Sequence, residues 1–220
     1  METDADQPLG IPALPDTTAG QGLFHELDTL LRSGVHVQAA HPEQQHLMPY
    51  LRKNEAALIA FYRDWHMGAQ LQHRHEEPHR YYFLEPPASS WAQAGAAFQR
   101  ELEAKHIIVA MLLCKVFLID LQKPEFESVP ALMHLLEREY EDYRDGLFRK
   151  LAQVMDKRET QLDSESVQKL VGQCLSLFKD LGWLCRTAAG GWRVLPALDR
   201  IRDLYQNEIR AMPDRFKAAS

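Results

Sequence analysis

The strongest constraint on this chain is a pattern that occurs twice. It consists of an amphipathic helix, an aromatic, a short extended run, a tight turn and a second extended run. The first copy places a helix over 54–65, extended runs over 69–75 and 80–86, and a turn at 76–79. The second places a helix over 164–181, extended runs over 182–186 and 191–196, and a turn at 187–190. A helix followed by a tight hairpin is the closing half of a winged-helix unit. Two copies therefore predict tandem winged-helix domains, a mainly α fold with small β-hairpins (α+β). Such a scaffold points to nucleic-acid or protein partners and away from catalysis.

The chain has 220 residues, enough for two small cores, and a protein of this size buries roughly 70% of its unfolded surface. Its formal charge is −6, but Glu2, Asp4, Asp6 and Asp16 supply −4 of that before the first periodic segment, leaving −2 for the rest. Net charge thus neither favours nor excludes nucleic acid, and local patches decide. Cys114, Cys174 and Cys185 are widely spaced, and two of them fall in apolar runs. That usage predicts buried thiols in a reducing cytoplasm without a disulfide framework. The first residues lack a basic region followed by an apolar stretch, so no secretory signal is expected. The longest apolar run, 107–119, reads IIVAMLLCKVFLI and is interrupted by Lys115. A spanning helix needs roughly 20 apolar residues, so this run predicts a buried core helix and no membrane partner.

Four segments follow from the pattern. Residues 1–21, rich in Pro, Gly, Asp and Thr without periodicity, predict a disordered or loosely held arm. Residues 22–88 form a first winged-helix domain, 89–211 a second with a C-terminal helix, and 212–220 a tail. In the first domain Leu23, Phe24, Leu27, Leu30 and Leu31 lie on one helical face, and Ser33-Gly34 supplies the left-handed cap. A strand at 35–37, a helix over 42–51 and a further helix capped by Asn54 follow, the last burying Leu58, Ile59, Phe61, Tyr62 and Trp65. Pro86-Pro87-Ala88-Ser89-Ser90 is the expected domain break. Beyond it come a long helix over 91–121, stopped by Lys123-Pro124, and another starting near Ser128 with Pro130 in its first turn. The exposed side of that helix is acidic, with Glu137, Glu139, Glu141, Asp142 and Asp145 against Arg138 and Arg144. The helix over 164–181 buries Val167, Leu170, Val171, Cys174, Leu175, Phe178 and Leu181. A last helix over 197–211 packs through Leu198, Ile201, Leu204, Tyr205 and Ile209.

Specific residues resemble the MukE family, the small non-ATPase subunit of MukBEF-type bacterial condensins, and especially its MksE branch. Leu27-Asp28-x-x-Leu31-Arg32-Ser33-Gly34-x-His36-Val37 is similar to the family's opening. Further similarity lies in Leu58-x-x-Phe61-Tyr62-x-x-Trp65, in Tyr81-Tyr82-Phe83-Leu84-x-Pro86, and in Leu181-Gly182. The likeness covers roughly 23–196. It departs at the acidic wing residue Glu85 and in the short stretch after the last helix, which favours the Mks type. The resemblance implies a homodimeric tandem winged-helix protein that binds a kleisin subunit (MksF-like) and, through it, an SMC ATPase (MksB-like). It also implies a cytoplasmic, nucleoid-associated role in chromosome organisation and segregation or in defence against plasmids.

Candidate chemistry is sparse. His75-Glu76-Glu77-Pro78-His79 matches the HExxH zinc-protease pattern, which works only on a helix. Here the flanks alternate like strands and Pro78 disfavours helix for Glu77, so a solvated wing tip is expected and no metal. A phosphate loop and a dinucleotide fingerprint are absent from the sequence, so no cofactor is expected, and Cys174 and Cys185 lack a placed base. For double-stranded DNA, the candidates are Lys157, Arg158, Lys169, Lys179, Arg186 and Arg193, near the second unit's last helix and wing. They predict sequence-independent, salt-sensitive phosphate contacts, diluted by Asp156, Glu159, Asp163 and Asp180. Arg52, Lys53, Arg63, Arg74 and Arg80 form a second set. Tyr81, Tyr82, Phe83, Trp183 and Trp192 are candidate partner-binding aromatics but read first as core. Alternatives are a free-standing winged-helix transcriptional regulator and, least favoured, a zinc hydrolase using His75 and His79.

Overall fold

In a computed structural model the chain divides into two compact units, Met1–Arg100 and Glu101–Ser220. The structure describes residues 18–66, 68–74, 79–85, 102–155 and 163–212. The expected domain break at 86–90, the first part of the arm and the final residues of the tail lie outside them.

The first unit begins with α1 (Thr18–Arg32), so 18–21, expected as arm, belong to a helix. Leu27 and Leu31 are fully buried, with Leu23, Phe24 and Leu30 packed beside them. Gly34 ends α1 at φ 78°. Its N–H donates to the Leu31 carbonyl and that of Val35 to the Leu30 carbonyl, at 3.1 and 3.0 Å. This pairing satisfies the last carbonyls of the helix and needs a residue without a Cβ at the turn. The chain then forms β1 (Val37–Gln38) and a 3-10 turn (Pro42–Gln44). The buried Gln44 side chain accepts the Gln38 N–H at 3.0 Å.

A single helix, α2 (Leu47–Trp65), follows where two had been expected. Asn54 does not cap it. Its side-chain amide donates to the Tyr50 carbonyl at 2.8 Å, four residues back, so the side chain bonds within the helix it was expected to start. Leu58 and Tyr62 are buried as expected, but Ile59 is 40% and Trp65 54% exposed. Ile59 stands about 100° round the helix from Leu58, and Trp65 is the last helical residue. The hairpin β2 (Gln70–Arg74) and β3 (Tyr81–Glu85) pairs Leu71 with Leu84 and Arg74 with Tyr81. Strand β1 adds to its other edge, Val37 opposite Tyr82, giving the order β1-β3-β2.

Several of the residues that carry the family resemblance build this unit's interior. Asp28, 8% exposed, accepts the Tyr62 hydroxyl at 3.3 Å and pairs with Arg32 at 3.0 Å. His66 approaches the same carboxylate at 3.9 Å and packs its ring against Phe61 and Tyr62. His36, 4% exposed, stacks on Phe83 with ring centroids 5.4 Å apart. Burial pushes the Tyr62 hydroxyl far above the ordinary phenol range, and the Asp28 charge adds to it. Burial holds His66 below its ordinary value, and Arg32 adds to that, while Asp28 pulls the other way.

The second unit opens at Glu103, whose side chain and that of His106 exchange capping bonds with each other's backbone at the start of α3 (Ala104–Leu113). The long helix expected over 91–121 therefore starts, within the described residues, at Ala104. It then widens into a π-helical stretch (Cys114–Asp120), where the Leu121 N–H reaches the Val116 carbonyl at 2.9 Å. Five-residue spacing brings Lys115 and Asp120 together at 2.6 Å. The apolar run is core as expected, with Val109, Leu112, Leu113, Val116 and Phe117 at most 2% exposed. Among the described residues no helix is long and apolar enough to cross a membrane.

Next come β4 (Glu125–Phe126) and α4 (Val129–Glu139), whose Ser128 cap accepts the Ala131 N–H and whose Pro130 lies in the first turn. A break at Tyr140 (φ −137°, ψ 46°) separates α4 from α5 (Glu141–Val154). Asp163 caps α6 (Ser164–Asp180), and Phe178 at its end is fully buried, worth about 1.5–3 kcal/mol relative to exposure. Gly182 at φ 72° turns the chain as Gly34 does, the Trp183 N–H meeting the Phe178 carbonyl at 2.8 Å. Strands β5 (Leu184–Arg186) and β6 (Trp192–Val194) pair Leu184 with Val194. The order β4-β6-β5 repeats that of the first sheet. The expected last helix is broken into a 3-10 turn (Pro196–Leu198), α7 (Asp199–Leu204) and α8 (Gln206–Arg210). The break at Tyr205 leaves Leu204 65% exposed, not packed as expected. The fold is mainly helical with small antiparallel sheets.

Gly182→Ala places a Cβ at positive φ and should cost about 1–2 kcal/mol, read as a lower urea midpoint at unchanged slope. Because His66 is held below its ordinary value, the unfolded chain takes up the proton first as pH falls below about 6.5, and stability should drop through that window. His66→Phe keeps the ring contacts and should flatten the pH dependence; His106, also lowered by burial, supplies the residue that remains.

Candidate nucleic-acid interface

The residues expected to meet DNA divide into groups with different surroundings. Helix α6 buries Val167, Leu170, Val171, Cys174, Leu175 and Phe178 against its unit, which turns Lys169 and Lys179 outward, both exposed. Ten positions at about 1.5 Å each separate them by roughly 15 Å along the axis. Glu165 and Asp180, also exposed, stand on the Lys169 side of the helix and weaken the local potential.

Arg186 ends β5, exposed, directly across from Trp192. Its guanidinium lies 3.5 Å over the Trp192 ring and donates to the Gly190 carbonyl at 3.0 Å. Stacking on an aromatic face leaves the outer edge of the fork for an acceptor. Arg193 differs. It faces Cys185 across the hairpin, so alternation puts it on the opposite face from Arg186. It is also held by Glu125 of β4, at 2.7 Å from Nε and 2.6 Å from Nη2. The expected patch is therefore split: Lys169 and Lys179 share one helix, Arg186 stands on one face of the β5–β6 hairpin, and Arg193 is paired with Glu125 on the other. Lys157 and Arg158 lie outside the described residues.

In the first unit Arg74 is exposed on β2, while Arg80 donates to the Tyr82 hydroxyl at 3.4 Å. That hydroxyl in turn donates to Glu55 of α2 at 3.3 Å. His73 lies 3.5 Å from the same carboxylate. Arg63 is bound by its neighbour Asp64 at 2.7 Å. Arg52 and Lys53 are exposed on α2.

The other candidate chemistry resolves into structure. Tyr81, Tyr82, Phe83, Trp183 and Trp192 are each no more than 4% exposed and form cores of their own units. The segment 75–78 of the HExxH match lies outside the described residues; its flanks β2 and β3 are strands of one hairpin, Arg74 opposite Tyr81, where the zinc motif requires a helix. Among the described residues no group of three or more His, Cys, Asp or Glu is placed to hold a metal ion. Cys114, Cys174 and Cys185 are free and buried, and burial pushes the Cys174 thiol up to about 11.

The surface features missed in the sequence are the exposed Ile59 and Trp65 on α2 and Leu204. An extra turn of outward-facing stripe on α2 would have been visible had 47–65 been read with one helical period through Asn54.

Because Glu125 already neutralises Arg193, Arg193→Gln should change the affinity for duplex DNA less than twofold. Arg186→Gln should weaken it several-fold, both read by fluorescence anisotropy at low salt.

The family described as condensin complex protein MksE matches the chain over residues 22–206. No curated protein matches it.

Proposed function

The chain belongs to the MksE family of condensin complex proteins and is a non-catalytic condensin subunit; from this we propose that it works by assembly. Each unit is a winged helix, with α2 and α6 as the helices that precede the hairpins and the hairpins as wings. The matching strand orders of the two sheets support that reading. A homodimer of the protein grips a kleisin subunit and, through it, an SMC ATPase that supplies ATP hydrolysis. The protein adds sequence-independent contacts to double-stranded DNA within a nucleoid-associated complex of chromosome organisation, segregation or plasmid defence. The family match over 22–206 carries the proposal.

On the DNA side, Lys169 and Lys179 of α6 with Arg186 of the wing are the phosphate-contacting groups. Contacts of this kind fix position without reading sequence, since a phosphate accepts from any well-placed cation.

Affinity purification of the tagged protein from its native cells should recover a kleisin and an SMC ATPase. Recovery of a defined operator sequence without either would replace this reading with that of a transcriptional regulator. Lys169→Glu with Lys179→Glu should weaken duplex binding about tenfold and reduce the salt dependence by roughly two phosphate contacts, without shifting the thermal midpoint.

A further inference from the structure

The break at Tyr205 (φ −118°, ψ 30°) makes two short helices of what was expected as one, and a groove opens where they meet the π-helical stretch. Its volume is 370 Å³. It is lined by Ile119 of the π-helical stretch, by Arg202 and Asp203 of α7, and by Gln206, Ile209 and Arg210 of α8. The two isoleucines give it an apolar part, and the charged residues border that part.

Leu204 directly follows the groove residue Asp203. It is 65% exposed, the most of any large hydrophobic residue among those described. A single exposed leucine is ordinary on a protein surface. Here a protruding leucine and an apolar hollow belong to the same few residues. The charges divide in a similar way. Arg202 is paired with Asp199 at 3.2 Å, whereas Asp203 and Arg210 are exposed and neither forms an ion pair among the described residues. One patch of the second unit thus carries a knob, a hollow, an anion and a cation. That set is complementary to itself, which is what an isologous interface demands, since a two-fold axis sets residues of one patch against different residues of the same patch on the other copy. Leu204 of one copy enters the hollow of the other at Ile119 and Ile209, and Asp203 beside it faces Arg210. Each contact occurs twice.

We propose that the groove of Ile119, α7 and α8 is the surface through which two copies of this chain associate. The proposal rests on the reading that the protein works as a homodimer and gives that dimer an interface. Burial of the two leucines against the isoleucines supplies the attraction. The two Asp203–Arg210 pairs, at the edge of the contact, set orientation and register more than affinity.

Sedimentation equilibrium of the full chain tests this. Asp203→Arg sets arginine against arginine, and Arg210→Asp sets aspartate against aspartate; each should raise the dimer dissociation constant about tenfold. Mixed in equal amounts, the two variants should pair with each other at close to the unaltered affinity, because opposite charges then meet at both positions. Leu204→Ala should raise the dissociation constant about tenfold or more. All three positions are exposed, so far-UV circular dichroism of the variants should match that of the unaltered protein. A dimer that none of these substitutions weakens, or single variants that do not recover on mixing, overturns this interface and leaves the homodimer standing. Loss of kleisin co-purification in Leu204→Glu with dimerisation unchanged overturns it too and gives the groove to the kleisin. An unaltered chain that stays monomeric at every concentration overturns both the interface and the homodimer.

Discussion

Each unit is closed by a strand of only two residues. Val37–Gln38 and Glu125–Phe126 each add to the inner strand of a hairpin and tie an early part of the unit to its last strand. Without that edge the hairpin would be a two-stranded ribbon, which is marginal in water unless something packs on it. With it, the inner strands β3 and β6 have both edges paired, and one face is free to receive a helix. Helix stripes, glycine turns and aromatic stacks then find fixed positions. In the first unit the same tie brings His36, next to β1, onto Phe83. In the second it places Phe126 against Phe117, ring centroids 4.7 Å apart.

What was legible in the sequence was whatever had a period. The stripe of α6, the apolar run through α3, the two hairpins and the turn glycines all repeat or alternate over enough residues to be recognised. The Val35-His36-Val37 run pointed to β1, which forms at Val37–Gln38, whereas Glu125–Phe126 carries no period and was not anticipated. That gap had a price at the site: Arg193 reads as a phosphate ligand only while its cross-strand partner Glu125 is unknown. The breaks at Tyr140 and Tyr205 were equally hidden, since neither involves Gly or Pro and both are tyrosines with non-helical backbone.

Asn54 shows the opposite failure. Asparagine is a good cap because its side chain competes for backbone groups, but within a helix the same amide can donate to a carbonyl four residues back, as it does to Tyr50. Local chemistry permitted both outcomes, and the packing of Leu47, Met48, Tyr50 and Leu51 into the same core as Leu58 and Tyr62 selected the continuous helix. The motif residues Asp28, His36 and Tyr62 teach a related lesson. They identify the family, yet each is buried and contacts its own unit, so their specificity is that of a packed interior with one satisfied carboxylate.

The three enclosed thiols set how this protein meets oxidative stress. A sulfur attacks peroxide or a disulfide as thiolate, and burial pushes the Cys174 thiol up to about 11, which keeps it protonated at neutral pH. Burial removes access as well. Sulfenic acid formation and glutathione capture therefore require prior opening of the second unit, in which all three cysteines lie. Their oxidation thus needs opening of the fold as well as an oxidant.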